Sequence, residues 1–149
     1  MDIIKENLVC LNLDAKDKYE AIKNLSILIN DDNRLSNHQA YIDSVLEREA
    51  LSSTGIGNGI AIPHGKCKDV KNITVAFGRV YEGIEWESLD GGNVRLVILL
   101  AIPEECSGNE HLRILASLSR KLIHEDFREK LYSLQEPKEV LNLLSQCLS

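Results

Sequence analysis

Ten residues, Val94 to Pro103, read Val-Arg-Leu-Val-Ile-Leu-Leu-Ala-Ile-Pro, with a single charge near the start. A membrane-spanning helix needs roughly 20 apolar residues. A stretch half as long, rich in branched side chains and closed by proline, reads instead as a strand buried in a protein core. The chain must then supply other elements to cover it. Its 149 residues, 44% of them apolar, suffice for one core of ordinary size and are short for two. Residues 1–149 are therefore expected to form a single domain.

The remaining pattern supplies the cover. Residues 8–13 alternate as a short strand, and Tyr19, Ile22, Leu25, Leu28 and Ile29 recur at helical spacing until Asn30-Asp31-Asp32-Asn33. Ser36 with Gln39 forms a capping-box signature for a second helix, which carries Ile42, Val45 and Leu46 and ends near Leu51 with Arg48 in its last turn. Ser52-Ser53-Thr54-Gly55-Ile56-Gly57-Asn58-Gly59 reads as a loop. Ile60, Ala61 and Ile62 follow as a short buried strand that stops at Pro63-His64-Gly65. Ile73, Val75 and Phe77 mark another strand, separated from the Val94 run by Asp90-Gly91-Gly92 turn chemistry. Ser107 and Glu110 form a second capping box, opening a helix whose Leu112, Leu115, Leu118, Ser119 and Leu122 are expected to share a face. Helical stretches at 127–134 and 138–148 finish the chain, the last one following Pro137. Helices on either side of several strands predict an α/β sandwich around a mixed, largely parallel sheet.

Charge and cysteine usage exclude several classes. The 17 Lys+Arg against 23 Asp+Glu leave −6 at pH 7 with no basic run, which argues against a nucleic-acid partner. The N-terminal Met-Asp-Ile-Ile-Lys-Glu-Asn lacks the features of a secretory signal, and Cys10, Cys67, Cys106 and Cys147 include no Cys-x-x-Cys pair. A cytoplasmic protein with reduced thiols and no membrane insertion is expected.

The candidate for chemistry is His64. Pro63 holds the preceding residue extended, and Gly65 leaves room for a backbone N–H to approach an anion on the ring. A neutral imidazole can attack phosphorus at cellular pH, and the phosphoryl group then needs a cradle of donors. His111, in the first turn of the Ser107 helix, and Arg48, with its planar fork, could supply one. Against this, each could be an ordinary half-buried or helix-end side chain; His38 and His124 read as surface. A zinc site from His64, Cys67, Cys106 and His111 has permissive spacing, although Lys66 would set a positive charge beside the ion. Gly55, Gly57 and Gly59 lack the Lys-Ser/Thr of a nucleotide loop. No cofactor or metal is expected.

These residues resemble the enzyme IIA component of the bacterial sugar phosphotransferase system, fructose/mannitol type, a group that includes nitrogen-regulatory relatives. The likeness lies in the segments 48–57, Gly59-Ile60-Ala61-Ile62-Pro63-His64-Gly65-Lys66, Gly83-Ile84 to Trp86 with Asp90-Gly91, and His111-Leu112 with Leu115 and Leu118. It implies an α/β sandwich in which His64 becomes a tele-phosphohistidine. The phosphoryl group would come from the histidine-containing phosphocarrier protein and pass to a cysteine of a sugar-specific IIB component. Arg48 and Gly65 would contact the phosphoryl group and His111 would support it. With no IIB or IIC segment in the sequence, a freestanding subunit is expected. Ile56 is a candidate for its docking surface, whereas Ile60 and Ile62 are expected in the core.

Overall fold

The computed structural model describes residues 2–106 and 109–148. A single 3-10 turn, Glu6–Leu8, leads into β1 (Val9–Cys10), so only the middle of the alternating segment 8–13 is strand. Helices α1 (Lys18–Asp31) and α2 (His38–Leu51) follow. Next come short strands β2 (Gly55–Gly57), β3 (Ile60–Ala61) and β4 (His64–Cys67), then long β5 (Thr74–Ile84) and β6 (Val94–Pro103). The chain closes with α3 (Glu110–Leu122), α4 (Glu125–Ser133) and α5 (Pro137–Leu148).

The strands form one mixed sheet in the order β1-β5-β6-β3-β2, with β4 also paired to β6. Three of its five ladders are parallel, and the longest, β5 with β6, is antiparallel. Successive strand residues point to opposite faces, and their neighbours show what covers each face. A Cβ on Gly78 would run into Leu25 of α1, whereas the next residue, Arg79, donates from its guanidinium to the carbonyls of Leu131 (2.9 Å) and Leu134 (2.8 Å) at the end of α4. Two helical layers thus enclose the sheet. This is why β6 can be apolar almost throughout: of its ten residues only Arg95 and Pro103 are not buried.

Local chemistry departs from the sequence expectation in four places. Asn37, not Ser36, caps α2, its side chain accepting from Ala40 N–H at 3.1 Å. Ser36 is drawn instead to Asp69, because the adjoining Leu35 bridges to Val70. The glycine stretch is a hairpin instead of a loop: Asn58 and Gly59 turn with φ of +58° and +79°, as a two-residue type I′ turn requires, and β2 folds back on β3. Leu112 is 53% exposed, because the buried stripe of α3 is Ile114, Leu118 and Leu122, and Leu112 lies about 120° round the helix from Leu118. Tyr19, at the start of α1, is likewise exposed. The proposed Ser107 cap lies outside the described residues. None of the described helices is long and apolar enough to cross a membrane.

Gly65 shows how closely α2 is held to the sheet. A Cβ there would clash with Ser44 Oγ and meet Val45 Cγ2 at 2.8 Å and Val45 N at 3.0 Å. Helix α2 therefore rests on the bare backbone of β4. Gly65→Ala should force the two apart and destabilise the protein by about 1–3 kcal/mol, measured by urea unfolding; an unchanged midpoint would refute this packing.

Candidate functional site

Strands β3 and β4 run in one line along the same edge of β6, broken at Pro63. The ladder continues across the break, since Leu100 N–H donates to the Pro63 carbonyl at 3.0 Å. Ile62 faces the other way. Its N–H donates to the Thr54 carbonyl at 3.1 Å, and its carbonyl accepts from His64 Nδ1 at 3.1 Å. A carbonyl can only accept, so the proton of the neutral ring sits on Nδ1 and the lone pair on Nε2. His64 thus opens β4 instead of ending β3, and its ring is half-buried.

Two helices and one strand bring the candidates to the same place. Arg48 from α2, His64 and Lys66 from β4, and His111 from α3 line an open cleft of about 410 Å³ together with Ser44, Glu47, Leu51 and Ile102. His64 and Lys66 share a face of β4 because they are two residues apart. Arg48 donates from Nη1 to the carbonyl of Ser52 at 2.9 Å, closing the last turn of α2. That contact occupies one corner of its guanidinium and holds the group at the rim. His111 Nδ1 is buried and has no hydrogen-bond partner among the described residues. Leu51, 79% exposed, adds apolar surface to the cleft.

Electrostatics favour the unprotonated His64 ring. Burial pushes its pKa below the ordinary 6.5, and the Arg48 guanidinium and, after it, the His111 imidazole act in the same direction. The Ile62 carbonyl and the Glu49 carboxylate oppose this in part. The result is a neutral imidazole at pH 7 in a cleft where the cations Arg48 and Lys66 outnumber the one carboxylate, Glu47, within a chain of net charge −6. Such an arrangement suits a nucleophile that meets a dianionic group.

A buried polar cluster behind the cleft went unnoticed in the sequence. Glu49, 5% exposed, accepts from Thr54 N–H (3.0 Å) and Thr54 Oγ1 (2.5 Å). Trp86 Nε1 donates to Thr54 Oγ1 at 3.2 Å, and Lys18 Nζ lies 3.6 Å from Glu49. Glu49 follows the exposed Glu47 and the cleft residue Arg48 and has no charged motif around it to single it out. Its place on the helix was the available signal, since it lies four residues after Val45, a member of the apolar stripe.

Other expectations resolve simply. Ile60 and Ile62 are buried, and Ile56 is 39% exposed. Gly65 is next to His64, and the space beside its Cα is filled by Ser44 and Val45, so packing by itself already requires glycine there. His124 is exposed; His38 is half-buried and hydrogen-bonded through Nε2 to Ser26 at 2.8 Å, which corrects its reading as surface. Among the described residues, no three His, Cys, Asp or Glu side chains converge to hold a metal ion. Cys67 and Cys106 approach Asp69 and Glu110 respectively.

The chain is thus an α/β sandwich with a histidine presented at a break in a strand ladder, beside an arginine and a second histidine. The profile of the family described as phosphoenolpyruvate-dependent sugar phosphotransferase system, EIIA 2, matches residues 2–147, and the chain belongs to that family. The PTS system fructose-specific EIIA component of Haloferax volcanii is 39% identical over 139 residues, which is 93% of this chain and 90% of that one. The fructose-specific EIIABC component of Bacillus subtilis is 36% identical over 145 residues, 97% of this chain, but the chain spans only 23% of that longer protein. Among solved structures, the nitrogen regulatory protein IIA-Ntr of Neisseria meningitidis superposes with a TM-score of 0.88 at 32% identity, covering 95% of this chain and 96% of its own. The Escherichia coli mannitol IIA enzyme in complex with phosphorylated IIB gives 0.80 at 30% identity, covering 96% and 99%.

The electrostatics can be read directly by NMR titration. The His64 ring should titrate below 6.5, and Arg48→Ala, which removes a positive neighbour, should move the midpoint upward. A wild-type midpoint at or above 6.5 would contradict the burial of the ring.

Proposed function

We propose that residues 1–149 act as one cytoplasmic phosphocarrier domain in sugar uptake. His64 Nε2 takes a phosphoryl group from the histidine-containing phosphocarrier protein and passes it to a cysteine of a IIB component. The observation that carries this reading is the hydrogen bond from Nδ1 to the Ile62 carbonyl, which reserves the Nε2 lone pair for the cleft. Family membership and the likeness to a mannitol IIA enzyme that was solved with phosphorylated IIB support it.

The step balances without a cofactor. The Nε2 lone pair forms a bond to phosphorus as the N–P bond of the donor phosphohistidine breaks, and the donor ring leaves with that electron pair. His64 keeps its Nδ1 proton on Ile62 and carries the phosphoryl group as a phosphoimidazolium, the tele isomer. Arg48, Lys66 and His111 offset the charge on the equatorial oxygens. Attack by a partner thiolate on phosphorus returns the electron pair to Nε2 and restores the neutral ring. The exposed apolar side chains of Leu51 and Leu112 suit brief docking of successive partners. No part of the scheme calls for nucleic acid or membrane insertion.

A regulatory role, in which phosphorylation of His64 controls binding to another protein, is favoured by the superposition on the Neisseria nitrogen regulatory protein. Recovery of a regulator by only one phosphorylation state, with no transfer to any IIB protein, would select it.

With phosphoenolpyruvate, enzyme I and the carrier protein, the wild type should take up acid-labile phosphate and His64→Ala should take up none; equal labelling would end the assignment. Arg48→Ala and His111→Ala should still be labelled, but should pass phosphate to IIB about a hundredfold more slowly. Unchanged transfer rates would remove these residues from the cradle.

A further inference from the structure

Glu49 is a carboxylate set almost wholly out of water on the inner side of α2, and the relay chemistry above makes no use of it. Burying such a group is costly unless donors and a counter-charge surround it. Both oxygens are engaged by the same residue, Thr54, through its N–H and its hydroxyl, and Lys18 stands 3.6 Å away. An apolar side chain would fill this space without such partners.

Hydrogen bonds then lead from Thr54 to the reactive ring. The Thr54 carbonyl accepts from Ile62 N–H at 3.1 Å, and the Ile62 carbonyl accepts from His64 Nδ1–H at 3.1 Å. Thr54 is held on its other side by Trp86 Nε1, and Ser53 Oγ donates to the Trp86 carbonyl at 2.7 Å. Ile62 precedes Pro63, which lacks an N–H, so the Thr54 carbonyl is what restrains the Ile62 peptide on the side away from β6.

We propose that Glu49 is a positioning residue for His64, acting through Thr54 and Ile62 to keep the ring proton on Nδ1 and the phosphoryl-accepting lone pair on Nε2. The proposal rests on the reading of His64 as the phosphoryl acceptor and names a residue that reading does not require. A small displacement of Thr54 moves the Ile62 carbonyl, frees the ring to rotate and lets the proton divide between the two nitrogens. Transfer suffers because the wrong tautomer presents N–H to phosphorus. The charged and titratable groups around His64 are Glu47, Arg48 and Glu49 on α2, Lys66 on β4 and His111 on α3. Of these, Glu49 opposes the downward shift of the His64 pKa.

The test is Glu49→Gln, whose amide offers one acceptor where Thr54 presents two donors. Nitrogen-15 NMR of the His64 ring should change from the Nδ1–H tautomer in the wild type to a mixture in the variant. Its titration midpoint should fall further, since a negative neighbour is removed, and phosphoryl uptake from the carrier protein should slow about tenfold. Thr54→Ser, which keeps both donors, should match the wild type, whereas Thr54→Val, which loses the hydroxyl, should reproduce the tautomer mixture. A role in stability alone would lower the melting temperature of Thr54→Val and leave the tautomer as it is. Wild-type tautomer populations in folded Glu49→Gln, or in Thr54→Val should the first variant fail to fold, would overturn the proposal. If the wild type takes no phosphate on His64 while the tautomer shift is still seen, the relay reading fails and the positioning role stands.

Discussion

The parallel pairing of residues 60–67 with β6, carried across Pro63 by the bond from Leu100 N–H, determines where every group in the cleft can be. Proline interrupts the N–H pattern at one residue, and the ladder resumes at the next. Ile62 is thereby left with its polar groups turned away from β6, one to Thr54 and one to the His64 ring. A continuous strand would have no reason to direct a carbonyl at an imidazole. The break thus presents the side chain and selects its tautomer.

Around that break, two opposing demands are met by separate layers. In the cleft Arg48, Lys66 and the imidazoles outweigh the single carboxylate of Glu47 and favour an incoming anion, while Glu49 forms an anionic floor behind it, held by Thr54 and Lys18. Arg48 and Glu49 are adjacent in sequence and point to different sides of α2, one to the rim and one to the interior. Gly65 lets the helix lie against β4, so both reach their places. Burial and the cationic rim keep His64 neutral, and the anionic floor limits that shift.

Much of this was legible in the linear pattern where local physics decides. The apolar run of β6 is buried as expected, and the five helices fall where the periodicity puts them. His64, Arg48 and His111, chosen for their chemistry and flanking residues, line one cleft. Other features depended on partners far away in sequence. Ser36 loses its cap role to Asp69, the hairpin at Asn58-Gly59 needs β3 to fold against, and Leu112 is left outside because Ile114 takes the core position. Arg79, buried and bound to carbonyls at the end of α4, has no local signature at all.

By itself the sequence determined the class of fold and singled out His64 in its frame of proline and glycine as the candidate for chemistry, because periodicity and backbone restrictions act between near neighbours. The tertiary structure alone decided which nitrogen of that ring is free and which groups stand around it. Those outcomes follow from hydrogen bonds linking Glu49, Thr54, Ile62 and His64, and from α3 bringing His111 across the sheet, contacts between residues that only folding makes adjacent.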